Sequence, residues 1–321
     1  MPIPFFVAAG AGLFAGALGV TGHSMAKETN QKAEWVVEDA EKLYASERGK
    51  LKVAEEKMNS AVMNLGNTKK DILCGSFMQF YEGYRKVKVN FELKKTTGID
   101  EVLNIEEPDI DRLYNISTNL SGTVMGVATG VALGAVGATF GATGIALAAG
   151  GLGATGVAMT PASAILGPAV FVSGISASLK ADENLEEARA YKAEVDVAVE
   201  KMKTSRTLCN AVAKRSEMMD GLLNDLEKQF SRCAYKMNKI VQNKISATGK
   251  EYLSEDDLTD EEIDLIIVTR ALAGAVKSVL DVPIVNKNNT DVTRKSKEMH
   301  TTVTNALPGL TEDAQNAFYA V

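Results

Sequence analysis

The groups able to do chemistry are few and scattered. His23 and His300 are the only histidines, and Cys74, Cys209 and Cys233 lie far apart and are odd in number. Cysteines so spaced make neither a disulfide framework nor a zinc ligand set. Each reads best as a small buried residue in a chain made in a reducing cytosol. Two histidines give no histidine-rich metal site and no Ser-His-Asp system. Glu106, Glu107, Asp109 and Asp111 are close enough in sequence to consider as ligands of a hard cation, but a solvated acidic surface is the simpler reading. No glycine-rich loop ending in Gly-Lys-Ser or Gly-Lys-Thr occurs, so no lysine is placed to reach a nucleotide phosphate. The stretch GATGIALAAGGLG approaches dinucleotide-binding spacing. However, no strand pattern precedes it and no acidic residue follows about 20 positions on. The residue types point away from an enzyme and imply no cofactor and no metal.

What the chain has in abundance is glycine in an uncharged setting. Residues 113–179 contain no Asp, Glu, Lys, Arg or His. About 20 apolar residues cross a bilayer once, so this run is long enough to cross twice and return. Gly122, Gly126, Gly130 and Gly134 recur at a spacing of four, and Gly137, Gly141 and Gly144 follow. In a helix that spacing stacks glycines on one face. Each mid-helix glycine costs roughly 1 kcal/mol against alanine in water. The cost is offset where a smooth face lets a second membrane helix approach closely. Gly150, Gly151 and Gly153 mark the turn of a hairpin, with one helix over about 118–149. Thr160 and Pro161 read as N-cap and first position of the returning helix, to about 179.

Residues 1–22 form a second uncharged segment, with Gly12 and Gly16 again four apart. It lacks the basic start of a signal peptide. It reads as an apolar N-terminal helix, either membrane-associating or packed on the hairpin. The competing reading of the central run is a hairpin buried inside a soluble bundle, and one protein can hide such a hairpin until triggered.

The elements that must carry these segments are long amphipathic helices. Val36, Ala40, Leu43, Leu51, Ala54, Met58, Ala61 and Leu65 follow the alternating three-four spacing of a coiled-coil seam, broken only where Glu47 occupies a stripe position. Ile72, Phe77, Phe80 and Tyr84 continue it less cleanly. Residues 96–112, with Gly98 and Pro108, read as an acidic break. The seam returns at Leu185, Ala188, Tyr191, Val195, Ala198, Met202 and Ser205, and runs on through Phe230 and Cys233 to Ile240. Thr259 and Glu262 form a capping-box pattern before an apolar helix that ends at Pro283. A polar loop (Asn286 to Asn289) and a short helix over about 291–307 follow. The parts are therefore 1–22, an apolar helix; 23–112, a long helix and linker; 113–179, the hairpin; 180–250, a second long helix; and 251–321, a helical cap. Two long helices joined by a hairpin at one end are expected to pair antiparallel. The fold class is all-α: an elongated antiparallel coiled-coil or helical bundle with a glycine-rich hydrophobic helical hairpin.

The MPIPFFVAAGAG opening, the GATGIALAAGGLGATGVAM and GPAVFVSG elements and the tail LTDEEIDLIIVTRALAGAVKSVLDVPIV resemble a widespread bacterial group with a glycine-rich hydrophobic middle between coiled-coil flanks. That likeness brings no activity, cofactor or catalytic residue with it. In layout alone the chain is similar to alpha-helical pore-forming toxins and apolipoprotein L-like proteins. The expectation is a membrane-active, toxin-like protein whose hairpin inserts and permeabilises or remodels a bilayer, in a bacterium as a defence effector or against a competitor. The alternative is a membrane-anchored coiled-coil scaffold that recruits a partner and forms no pore. The expected partners are a lipid bilayer, further copies of the chain, and a protein partner or trigger encoded nearby. A formal net charge of −6 gives no reason to expect nucleic acid. The expected location is a bacterial inner membrane, or the cytoplasm with conversion to a membrane-bound form.

Overall fold

The computed structural model describes residues 23–89, 104–122, 181–285 and 291–321. Of these, 88% are helical, so the all-α class stands. The order is α1 (His23–Ile72), a π-helical turn (Leu73–Phe77), α2 (Met78–Tyr84), β1 (Val87–Lys88), α3 (Glu107–Gly122), α4 (Ala181–Thr248), β2 (Leu253–Ser254), a 3-10 turn (Glu255–Asp257), α5 (Asp260–Leu280) and α6 (Arg294–Ala320). The chain divides into two compact units: 1–52 with 163–205, and 53–162 with 206–321. Both long helices contribute to both units.

The stripes read from sequence are the buried faces. Ala40, Leu51, Ala54, Met58, Ala61 and Leu65 of α1 are buried, as are Ala188, Val195, Met202, Val212, Leu226 and Phe230 of α4. Each large apolar side chain buried this way contributes about 1.5–3 kcal/mol. Glu47, which interrupts the stripe, is buried with it and pairs with Lys50 at 2.6 Å. The less regular stretch has a structural cause. The π turn inserts an extra residue, so Ile72 and Phe77, five apart, both face inward.

The direction of pairing differs from the expectation. In the first unit Asn184 donates to Asn30 at 3.3 Å and Lys192 to Asp39 at 2.7 Å. Ala40 packs with Val195 and Val199. In the second unit Thr68 meets Asp220, Ser76 meets Glu227 and Lys86 meets Gln242. Partners rise in number together, so α4 runs parallel to α1 and α2 in each unit. A seam is the same read in either direction, so periodicity cannot fix orientation. Within the second unit α3 runs antiparallel to α2, with Glu107 beside Tyr84 and Ser117 beside Cys74. The parallel arrangement also explains the small two-stranded sheet. The chain leaves α2 and α4 in the same direction, and Val87 pairs with Leu253 and Lys88 with Ser254 in parallel register.

Thr259 caps α5 as its sequence implies: its hydroxyl accepts from the Glu262 amide at 3.3 Å and the Glu262 carboxylate takes the Thr259 N–H at 2.7 Å. This helix is more than a cap, because residues on nearly every side of it are buried. Ile263, Ile266, Ile267, Val276 and Leu280 are buried as expected, and Ala271 is half-buried. The last helix does not stop near Leu307 but continues through Pro308 to Ala320. Leu310, Ala314 and Ala317 are buried beyond the proline, and Cys233 and Lys236 of α4 donate to the carbonyls of Ala314 and Phe318. This packing offsets the lost helical hydrogen bond.

At Gly83 a close helix approach requires the missing side chain. A Cβ there would lie 3.0 Å from the Asn238 Cα and 3.1 Å from the Met237 methyl carbon. Gly83→Val is expected to lower stability by about 1–3 kcal/mol through overpacking. A urea midpoint equal to wild type would show that α2 and α4 can part at no cost.

Candidate functional site

Among the described helices, only α3 carries part of the uncharged run, so its attachments are the site where the folded chain holds that run. The helix begins at Glu107, inside the segment expected to be a break. Pro108 sits in the first turn, where a missing N–H is harmless, and Glu107 and Asp109 favour the positive end of the helix dipole. Ile110, Leu113, Ser117 and Leu120 then form a buried face at three-four-three spacing.

Three sets of polar contacts hold α3. On α2, the Tyr84 hydroxyl donates to Glu107 at 2.6 Å, and the rings of Tyr81 and Tyr114 stack with centroids 3.8 Å apart and planes 10° off parallel. Arg85 lies 3.8 Å from the carboxylates of Glu107 and Asp111. On the π turn, the Cys74 thiol donates to the Ser117 carbonyl at 3.9 Å. On α5, Arg112 donates to Asp281 at 2.7 Å and to Asp109 at 3.2 Å, and Lys277 reaches Asp109 at 2.8 Å. Arg270 donates to the Ile105 carbonyl at 2.8 Å.

Beneath this cluster lies Lys69, only 1% exposed, whose ammonium donates to the Leu280 carbonyl at the end of α5 at 3.0 Å. Burial pushes its pKa down to about 7, against the opposing pull of Asp281. Burial and the hydrogen bond to Glu107 push the Tyr84 phenol well above its usual range. Burial works against the charge on Asp109, but Lys277 and Arg112 outweigh it and hold the carboxyl low. Burial raises the Cys74 thiol, and it raises Cys209 and Cys233 to about 11. At neutral pH these thiols carry their protons, which makes them poor nucleophiles. Burial and nearby Arg215 lower His300. The arrangement is suited to fixing a helix by charge and stacking.

Of the glycines that the spacing singles out, Gly122 is the last residue of α3. Gly12, Gly16, Gly126, Gly130, Gly134, Gly137, Gly141, Gly144, Gly150, Gly151 and Gly153 lie outside the described residues. The acidic cluster is drawn apart by pairing, with Glu107 and Asp111 toward α2 and Asp109 toward α5. Among the described residues no group of three or more His, Cys, Asp or Glu is placed to hold a metal ion. Sequence reasoning passed over Lys69, although a signal existed. Lys69 falls on the stripe between Leu65 and Ile72, a charged residue where an apolar one belongs. The Arg112–Asp281 pair left no such trace, since its partners are 169 residues apart. Among the described residues no helix is long and apolar enough to cross a membrane. Comparison with family models, curated proteins and solved structures found no match for this chain.

Proposed function

We propose that the protein is membrane-active: its glycine-rich uncharged segment inserts into a bilayer and permeabilises or remodels it, with the long helices as carrier. One observation carries this reading. In the first unit α1 and α4 run parallel, and Asn30 touches Asn184 near their starts. The uncharged residues 1–22 lead directly into α1, and the uncharged run leads, through Lys180, directly into α4. Two uncharged segments therefore join the folded chain at one end of one helix pair, as suits two segments that enter the same bilayer. The reading extends to assembly of several copies through the glycine ladder, to a bacterial membrane as target, and to a trigger supplied by a partner.

The test is dye release from liposomes by the full chain, with Gly126→Leu and Gly130→Leu beside it. Wild type is expected to release dye. Each variant is expected to release it at least about tenfold more slowly, equivalent to losing ~1.4 kcal/mol of helix contact. Release unchanged in both variants would remove the glycine ladder from the mechanism. No release at any pH or lipid composition would favour the scaffold that holds a partner at a membrane without a pore.

A further inference from the structure

The uncharged run is not uniform. Its opening residues, Leu113 to Gly122, lie in α3 and include Asn115, Ser117, Thr118, Asn119 and Ser121. Over the next stretch, Thr123 to Gly134, the polar side chains are Thr123 and Thr129 alone. The fold sorts the opening residues onto two faces. Ile110, Leu113, Ser117 and Leu120 are buried in the protein, while Asn115 and Asn119, four apart on one side of the helix, are exposed. The buried Ser117 hydroxyl is satisfied within the helix, donating to the Leu113 carbonyl at 2.8 Å. A side-chain amide carries donors and an acceptor that water satisfies and hydrocarbon does not. One side of α3 therefore requires protein and the other requires water, and neither suits lipid.

The attachments of α3 point the same way. Arg112, the last charged residue before the run, donates to Asp281 of α5 at 2.7 Å, and Lys277 of α5 reaches Asp109 at 2.8 Å. Tyr114, the second residue of the run, stacks on Tyr81 of α2. Drawing α3 into a bilayer would pull Arg112 from Asp281 and bring Asp109, Asp111 and Arg112 against the lipid, where unpaired charge is costly. Nor is α3 needed for crossing. Residues 123–179 are uncharged throughout, and two crossings of about 20 residues each leave room for a turn.

We infer that α3 is a fixed stem: it stays docked on α2 and α5 while the run beyond Gly122 enters the bilayer, so the membrane boundary falls at the end of α3. The inference rests on the membrane reading above and adds where the folded chain stops and the inserting chain begins.

The full chain is bound to dye-loaded phosphatidylcholine vesicles, which carry no net charge, and compared with Asn115→Asp, Asn119→Asp and Val131→Asp. Both asparagines are exposed in the fold, so their variants are expected to keep the helical spectrum and urea midpoint of wild type. They are expected to release dye within about twofold of wild type, whereas Val131→Asp slows release at least about tenfold. Hydrogen exchange over residues 107–120, read on the vesicle-bound protein, is expected to stay as slow as in solution. Release lost in Asn115→Asp or Asn119→Asp as fully as in Val131→Asp shows that α3 enters the bilayer, and overturns the stem. Release kept in those two variants with fast exchange over 107–120 shows that α3 undocks into water, and also overturns it. Either outcome leaves the membrane reading standing. No release by wild type, or release untouched by Val131→Asp, overturns the membrane reading and the stem with it.

Discussion

Lys69→Met is expected to abolish a rise in stability that the wild-type protein shows between pH 7 and pH 10. The Lys69 ammonium is fully buried, and the favourable groups around it include the Leu280 carbonyl at the negative end of α5 and the nearby Asp281 carboxylate. They do not recover the lost hydration, so the folded-state pKa falls from 10.5 to about 7. The sign follows from proton counts. Between about 7 and 10.5 the unfolded chain holds a proton on Lys69 that the folded chain has released, so stability climbs with pH through this window. Below about 7 both states are protonated and the penalty is present in full. At 1.36 kcal/mol per pH unit the gap amounts to roughly 5 kcal/mol. Methionine fills similar space without a charge, at the cost of a carbonyl losing its lysine partner, about 1–3 kcal/mol. The slope is therefore a cleaner readout than the midpoint. Urea unfolding at several pH values between 7 and 10 measures it. A flat wild-type profile, or an equal slope in the variant, would show that Lys69 is charged in the fold at all these values. Lys69→Arg should remove the rise as well, and remain destabilised throughout, because arginine keeps its charge.

Phe80→Ala is expected to cost about 3–5 kcal/mol, the range for a deeply buried phenylalanine. Its ring is fully buried on α2. It meets Phe77 at 5.7 Å, Tyr84 at 5.0 Å and Phe230 of α4 at 5.8 Å between centroids. The same short helix supplies Tyr81 and Tyr84 to α3. Loss of the ring should therefore loosen α3 as well as lower the urea midpoint. Hydrogen exchange over residues 107–122 is expected to accelerate in Phe80→Ala more than exchange near Ala40 and Val195, which belong to the other unit. A loss below about 1 kcal/mol would mean that the aromatic cluster collapses around the gap. Equal acceleration in both places would mean that the two units unfold together and that α2 holds nothing in particular.

The amino-acid sequence by itself determined the helices and their inward faces. Leu51 to Leu65 and Leu185 to Ile240 carry a three-four repeat that only a helix can put on one side, and most of its members are buried, with Leu185, Tyr191, Ala198 and Ile240 half-buried. Thr259, Glu262 and Pro283 bracket α5 because a capping box and a proline act on their immediate neighbours. The uncharged, glycine-spaced run was also legible as a segment apart, from composition alone. Direction was left to the tertiary structure. A seam reads the same for a parallel and an antiparallel partner, and the choice belongs to the connection, here begun by α3 turning back along α2. The same holds for the reach of α6 past Pro308, where packing on α4 outweighs a local helix breaker. It holds most for the polar anchor of α3. Arg112 and Asp281, or Tyr81 and Tyr114, become partners only once separate helices lie side by side, and Lys69 loses its hydration only in the folded interior, where it meets the Leu280 carbonyl of α5. Periodicity and capping act over a few residues, and charge pairing and desolvation act through space.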